Sequence, residues 1–257
     1  MRAGCKEEFR YTFALNTICP GKFVAGQTNG VFFMKPGYHL VNWIMRRVLS
    51  AVYRVDASQL NRIPRQGPAL AVANHITLFE APIMIAWLDK PLVTGISKRE
   101  NWKNPLIRFL FWQWEVIPID RGLVDRDAFN QSVEALKRGK ILAIAPEGTR
   151  SKSGAMQQGK AGVTILAARS GAPIVLIAYW GHENFWSNLE HLRRTDFHVA
   201  VGQPLRLTAE GAGLSREVRE AATAEVMFKI AELLPEAYRG FYAFDKPVEY
   251  RYLVPAE

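Results

Sequence analysis

From Tyr38 the polar residues His39, Asn42, Arg46, Ser50 and Arg54 recur at every third or fourth position and leave an apolar arc of Leu40, Val41, Ile44, Met45, Val48, Ala51, Val52 and Val55. That spacing predicts an amphipathic helix over 38–55 with basic flanks. Beyond it, short apolar runs alternate with helical spacings. The runs 69–73, 92–96, 116–119, 141–145 and 174–179 predict buried strands, and 81–88, 126–138 and 160–170 predict helices between them. Alternation of this kind predicts an α/β layered domain, its central sheet largely parallel or mixed, flanked by helices and preceded by the amphipathic helix. Segments 198–201 and 204–207 are expected to add an edge to the sheet. A helix over 216–234, with Val218, Ala222, Val226 and Ile230 on one face, closes the chain. Residues 1–35 mix Gly, Asn, Thr and Pro without a period, so they are expected to form a poorly ordered extension, or to follow from a start codon placed before a true start at Met34. The folded domain is expected over 36–257.

Composition agrees with one sizeable core. Of 257 residues 49% are hydrophobic, enough to bury a domain of this size. The 19 Gly and 14 Pro are spread rather than clustered, which excludes disordered and fibrous classes. The formal charge of +9 suits an anionic partner, whether nucleic acid, a phospholipid surface or a phosphorylated substrate. No stretch approaches the roughly 20 uninterrupted apolar residues of a spanning helix. Arg46, Arg47 and Arg54 break the first candidate, and Arg108 and Glu115 break a second over 106–119. The first residues lack the pattern of a secretory signal, so the protein is expected to be soluble or peripheral. Cys5 and Cys19 are the two cysteines, which excludes a disulfide framework or a cysteine metal cluster and suits a reducing compartment.

Three segments concentrate reactive side chains just after predicted strands, where α/β sheets build their sites. In Asn74-His75-Ile76-Thr77-Leu78-Phe79-Glu80, a carboxylate follows a histidine by five residues. Within one helix that spacing would put the two side chains about 140° apart. His75 is therefore expected in a loop, with Glu80 in or near the first helical turn, reaching back. A carboxylate so placed holds one imidazole nitrogen protonated and leaves the other free as a general base. The competing reading is a capping box in which Glu80 returns to the backbone N–H of Thr77. Pro82 weakens it, because a helix capped by Thr77 would need a donor there. The other two segments, 116–122 and 145–151, each place an arginine, Arg121 and Arg150, beyond an apolar run. A guanidinium there grips phosphate through two N–H groups. Either arginine alone is most often a solvated loop residue, but with Lys98, Arg99, Lys152 and Lys160 they are expected to compose an anion pocket beside the base.

These residues resemble a family. Asn-His-x-Thr-x-x-Glu at 74–80, Ile-Asp-Arg at 119–121, Pro-Glu-Gly-Thr-Arg-Ser at 146–151 and Ala-Pro-Ile-Val-Leu-Ile-Ala at 172–178 look like the four ordered motifs of the glycerolipid acyltransferases, typified by lysophosphatidic acid acyltransferase. The likeness covers about residues 40–240. It implies that His75 deprotonates an acceptor hydroxyl, which attacks an acyl thioester directly, and that Glu80 is its partner. Arg121 and Arg150, with Glu147, Gly148 and Thr149 shaping the loop and Lys98 assisting, would bind the acceptor's phosphate. The implied donor is acyl-CoA or an acyl carrier protein thioester, with no metal or other cofactor. The implied acceptor is a lysophospholipid or glycerol phosphate. The implied location is cytoplasmic, peripheral at the anionic inner face of the cell membrane.

The family's usual acid in the first motif is Asp, and Glu80 is one methylene longer. That departure leaves room for an alternative, a catalytically impaired lipid-binding protein of the same fold. Other chemistries lack support. The His–Glu spacing is not that of a metalloprotease helix, and His39, His182, His191 and His198 supply no third-ligand cluster. No Gly-x-Ser-x-Gly elbow appears. Nucleic-acid binding rests on charge alone, without an aromatic-basic stacking motif. The segment 179–186 is either a wall of the site, an interfacial patch or core packing. The arc on 40–55, with Trp112 and Trp114, either docks on an anionic membrane or packs on the domain.

Overall fold

The computed structural model describes residues 35–90, 92–120, 125–208 and 215–256. Along the chain these form α1 (Tyr38–Val52), β1 (Tyr53–Asp56), β2 (Ala69–Ala73), α2 (Glu80–Leu88), β3 (Val93–Lys98), α3 (Pro105–Gln113), β4 (Ile117–Ile119) and α4 (Arg126–Lys137). Then follow β5 (Ile141–Ile144), α5 (Gly162–Ser170), β6 (Ile174–Trp180), α6 (Phe185–Glu190), β7 (Thr195–Val201), β8 (Leu205–Leu207), α7 (Arg216–Leu233) and β9 (Leu253–Pro255). The strands join one mixed sheet in the order β1-β7-β6-β2-β5-β3-β4, with β8 pairing β6 and β9.

β6, β2, β5, β3 and β4 run parallel. Their C-terminal ends therefore share one edge, and every loop that leaves it faces the same region. β7 is antiparallel to β6, and β1 is parallel to β7.

The continuous apolar runs of β2 and β6 follow from burial on both faces. Leu70 and Val72 point into a core covered by α4, α5 and α7, where Leu136, Val163, Val226 and Ile230 are buried. Ala69 and Ala71 point the other way, toward Tyr38, Leu49, Ile83 and Met84 of α1 and α2. Two-residue alternation thus divides one strand between two cores.

The predicted strands and helices of the body appear within a few residues of their expected limits, including the edge at 198–201 and 204–207, which is β7 and β8. Three differences matter. The helix expected over 38–55 ends at Val52, and Tyr53–Asp56 leaves it as an extended strand whose Tyr53 lies opposite Thr195. The face of α1 that packs holds Tyr38, Asn42 and Leu49, whereas Leu40, Ile44 and Val48 of the predicted arc are exposed with Trp43. α3 and β9 were not expected. The extension at 1–34, with the suggested start Met34, lies outside the described residues, as does Arg121.

Candidate active site

The site grows from the C-terminal end of β2. Asn74 is completely buried, and its amide bridges to β6, donating to the carbonyl of Tyr179 at 2.8 Å and accepting from its N–H at 2.8 Å. That clamp fixes where the chain leaves the sheet. The next residue, His75, is held through its main chain by the Pro-Glu-Gly-Thr-Arg-Ser loop after β5. Its N–H donates to Glu147 Oε1 at 3.0 Å, and its carbonyl accepts from Ser151 N–H at 2.7 Å.

Glu147 is buried. Its second oxygen accepts from both the backbone and the side-chain amide of Gln157, each at 3.2 Å. Burial pushes its carboxyl above the ordinary carboxylate range, and the N–H groups of His75 and Gln157 pull it back. Three protein donors thus meet the two oxygens of Glu147 and tie the loop to His75. Gly148 takes a left-handed φ of 71°, and the side chain of Lys160 lies across it, with Nζ 3.2 Å from where a Cβ would stand. The left-handed backbone favours glycine here.

Glu80 opens α2 and reaches back as the five-residue spacing predicts. Its Oε2 is 2.8 Å from His75 Nδ1, while Oε1 accepts from the backbone N–H groups of Ile76 and Thr77. The Glu80–Thr77 bond of the competing capping box is present on one oxygen, but Thr77 is not the N-cap, so the box itself does not form. The helix starts at Glu80 itself, with no side-chain cap from Phe79, so Pro82 sits in the first turn where no donor is needed. The Glu80 side chain is 9% exposed and that of His75 21%. The imidazole's Nε2 has no partner among the described residues, so the dyad presents a free ring nitrogen at an accessible edge.

The cations expected around this dyad fall into two groups. Arg99 is taken up by Asp120, its Nε 2.9 and 3.0 Å from the two carboxylate oxygens. Lys98, at the end of β3, and Arg150, Lys152 and Lys160 of the β5–α5 loop carry no acidic partner among the described residues. Thr149 and Arg150 are exposed, and Gln157 donates to the Thr149 carbonyl at 3.1 Å.

Comparison with known proteins fits this geometry. Residues 54–180 match the acyltransferase family. A lyso-ornithine lipid O-acyltransferase of Pseudomonas aeruginosa is 31% identical over 202 residues, covering 71% of this chain and 76% of the relative. The chain belongs to the glycerolipid acyltransferase family. A 1-acyl-sn-glycerol-3-phosphate acyltransferase of Pseudomonas aeruginosa is 28% identical over 197 residues, which is 75% of this chain and 74% of that one. The fold matches the crystal structure of the 1-acyl-sn-glycerophosphate acyltransferase PlsC from Thermotoga maritima, with a TM-score of 0.55 and 22% identity over 74% of this chain and 76% of that one.

The candidate site also contains residues that sequence reasoning did not assign. Asn74 lies in the first motif, but nothing local says that its partner is 105 residues away. Gln157 supports Glu147 across a ten-residue loop. Tyr53, expected as part of a helix, instead starts β1 and places its hydroxyl 2.8 Å from His182 Nδ1. Among the described residues no helix is long and apolar enough to cross a membrane.

Proposed function

We propose that this acyltransferase moves a fatty acyl group from an acyl thioester, carried by CoA or acyl carrier protein, to a hydroxyl of a lysophospholipid or glycerol phosphate. The observation that carries the reading is the dyad, in which Glu80 holds His75 Nδ1 and leaves Nε2 free. The acceptor hydroxyl gives its proton to Nε2 as its oxygen attacks the thioester carbonyl. The Glu80 carboxylate stabilises the imidazolium that forms. The tetrahedral intermediate then collapses, the C–S bond breaks, and the departing thiolate takes the proton from Nε2. Arg150, with Lys98 and by resemblance Arg121, holds the acceptor's phosphate, and Gly148 and Thr149 shape the loop that presents Arg150. The names of the two Pseudomonas aeruginosa relatives both support a lysolipid as acceptor. Residues 36–257 act as one acyltransferase domain in this reading.

The test is transfer of labelled acyl groups by the purified protein from a panel of thioesters to lysophosphatidic acid and glycerol 3-phosphate. Within it, Arg150→Ala should raise the Michaelis constant for the acceptor and leave that for the thioester nearly unchanged. Loss of one charge-assisted contact is worth about 1.5–3 kcal/mol, or roughly 10- to 100-fold. An effect confined to the thioester would move Arg150 to the donor side.

The enzyme works at the inner face of an anionic membrane in this reading, docked through α1 and α3. Leu40, Trp43, Ile44 and Val48 of α1 and Leu106, Phe109 and Trp112 of α3 are exposed apolar side chains. Trp114 Nε1 donates to Asn42 Oδ1 at 3.0 Å and Gln113 Nε2 to the Pro36 carbonyl at 3.1 Å, so the end of α3 lies beside the start of α1. Trp114 itself is buried and takes no part in the patch. Lys35, Arg46, Arg47 and Arg108 lie on or next to the same helices, a charge pattern that suits anionic headgroups. Leu40→Ser/Ile44→Ser/Trp112→Ser is expected to lower the fraction that co-sediments with anionic vesicles. Unchanged sedimentation by a folded variant would place the anchor elsewhere.

A further inference from the structure

His182 follows β6 in a loop that faces the same edge of the sheet as His75, and none of the four motifs includes it. Gly181 before it has φ 94°, and a Cβ there would come within 2.5 Å of the Asp196 carbonyl oxygen. Only glycine permits this turn. The turn lays the imidazole of His182 against Phe185, ring centroids 5.1 Å apart and 24° between planes, and beside Tyr53 at 6.0 Å.

The tautomer of this ring follows from its neighbours. Burial raises the Tyr53 hydroxyl far above the ordinary phenol range; the Thr77 hydroxyl opposes that shift and the Glu80 charge adds to it. Tyr53 is thus a phenol, whose O–H can donate. Burial lowers the His182 imidazole; Glu183 opposes this and the charge of Arg150 adds to it. A neutral imidazole has one acceptor and one donor nitrogen. Tyr53 Oη and His182 Nδ1 are 2.8 Å apart, and where the hydroxyl is the donor the ring proton is on Nε2. That N–H has no partner among the described residues, and the loop that carries His182 lies against the loop that carries Arg150, with Glu183 Oε1 3.1 Å from where a Cβ of Gly154 would stand.

We propose that His182 is an acceptor-binding residue, whose Nε2–H donates a hydrogen bond to a phosphate oxygen of the lysolipid that Arg150 holds, with Tyr53 fixing the ring. This rests on the reading of Arg150 as the acceptor's anion site. An uncharged donor beside a guanidinium adds a directed contact to the phosphate without adding charge. Phe79 connects the two histidines: from the loop that carries the base it packs against Tyr53, ring centroids 5.8 Å apart, and against Phe185 at 5.7 Å.

The test compares His182→Asn, whose amide nitrogen falls near the former Nδ1, with His182→Gln, whose amide nitrogen falls near the former Nε2. His182→Asn is expected to raise the Michaelis constant for lysophosphatidic acid about tenfold, in line with one hydrogen bond to a charged group. Turnover and the thioester's constant should stay within about twofold. His182→Gln should recover most of the loss, and Tyr53→Phe should resemble His182→Asn. Direct binding of lysophosphatidic acid to His75→Ala and to His75→Ala/His182→Asn repeats the comparison without turnover. An inactive wild-type protein would sink the acyl-transfer reading, while the binding arm would still decide the role of His182. Equal affinity in that arm, an unchanged acceptor constant, or a change in the thioester constant alone would overturn the assignment. So would a His182→Gln enzyme no better than His182→Asn.

Discussion

His75→Ala is expected to lose about 100- to 10,000-fold in turnover, the range that a positioned general base contributes. The fold should survive, for a reason specific to this residue. The bonds that tie position 75 to its surroundings are made by its main chain, to Glu147 and from Ser151, and alanine keeps both. Glu80 loses the imidazole but keeps the N–H groups of Ile76 and Thr77 on its other oxygen. The thermal midpoint should therefore move little while the rate collapses. The experiment reads both quantities on the same preparation, with thioester and lysophosphatidic acid saturating. Turnover near that of the wild type, from a folded variant, would take His75 out of the proton transfer.

Much of this was legible in the chain because the decisive signals are local. The runs that became β2, β5 and β6 are apolar at successive positions because each strand is covered on both faces. His75 and Glu80 were legible together because five residues span a loop and one helical turn. What the sequence hid was non-local. Tyr53–Asp56 continues the apolar period of α1, and only pairing with β7, about 140 residues away, turns it into a strand. β9 is three residues long and exists by pairing with β8. α3 had a readable start, since Asn104 caps the N–H groups of Leu106 and Ile107 and Pro105 follows it. Its apolar residues lie on both faces, however, Leu106, Phe109 and Trp112 outward and Leu110 against the core, so the window showed no helical period. Tyr53 and His182 meet for the same non-local reason, as β1, β7 and β6 bring residues 129 apart into contact. Asp120 and Arg99 show the converse: a cation that composition placed in the anion pocket is neutralised by an aspartate 21 residues away.

The Glu80 departure from the family's aspartate makes two further variants informative, because one carboxylate here makes three bonds. In Glu80→Gln the amide oxygen can keep the N–H groups of Ile76 and Thr77, and the amide nitrogen then faces His75 Nδ1. It would donate to that nitrogen and drive the ring proton to Nε2, the tautomer that cannot act as a base. The rate is expected to fall on the order of 100- to 10,000-fold, by analogy with removal of the orienting acid in other His–carboxylate pairs. All the loop bonds survive, so stability should change by at most about 1 kcal/mol. Glu80→Asp supplies the family's acid but starts from the same first residue of α2. The shorter side chain cannot reach Ile76, Thr77 and His75 together unless the loop moves. A buried N–H left without an acceptor costs about 1–3 kcal/mol, so the aspartate should lower the thermal midpoint and turnover together. Turnover and midpoint measured for both variants distinguish the two roles of the one side chain. A Glu80→Gln enzyme with full activity would remove the dyad from the mechanism. A Glu80→Asp enzyme as active and stable as the wild type would mean that the loop follows the shorter acid, and that the extra methylene has no part in setting the position of His75.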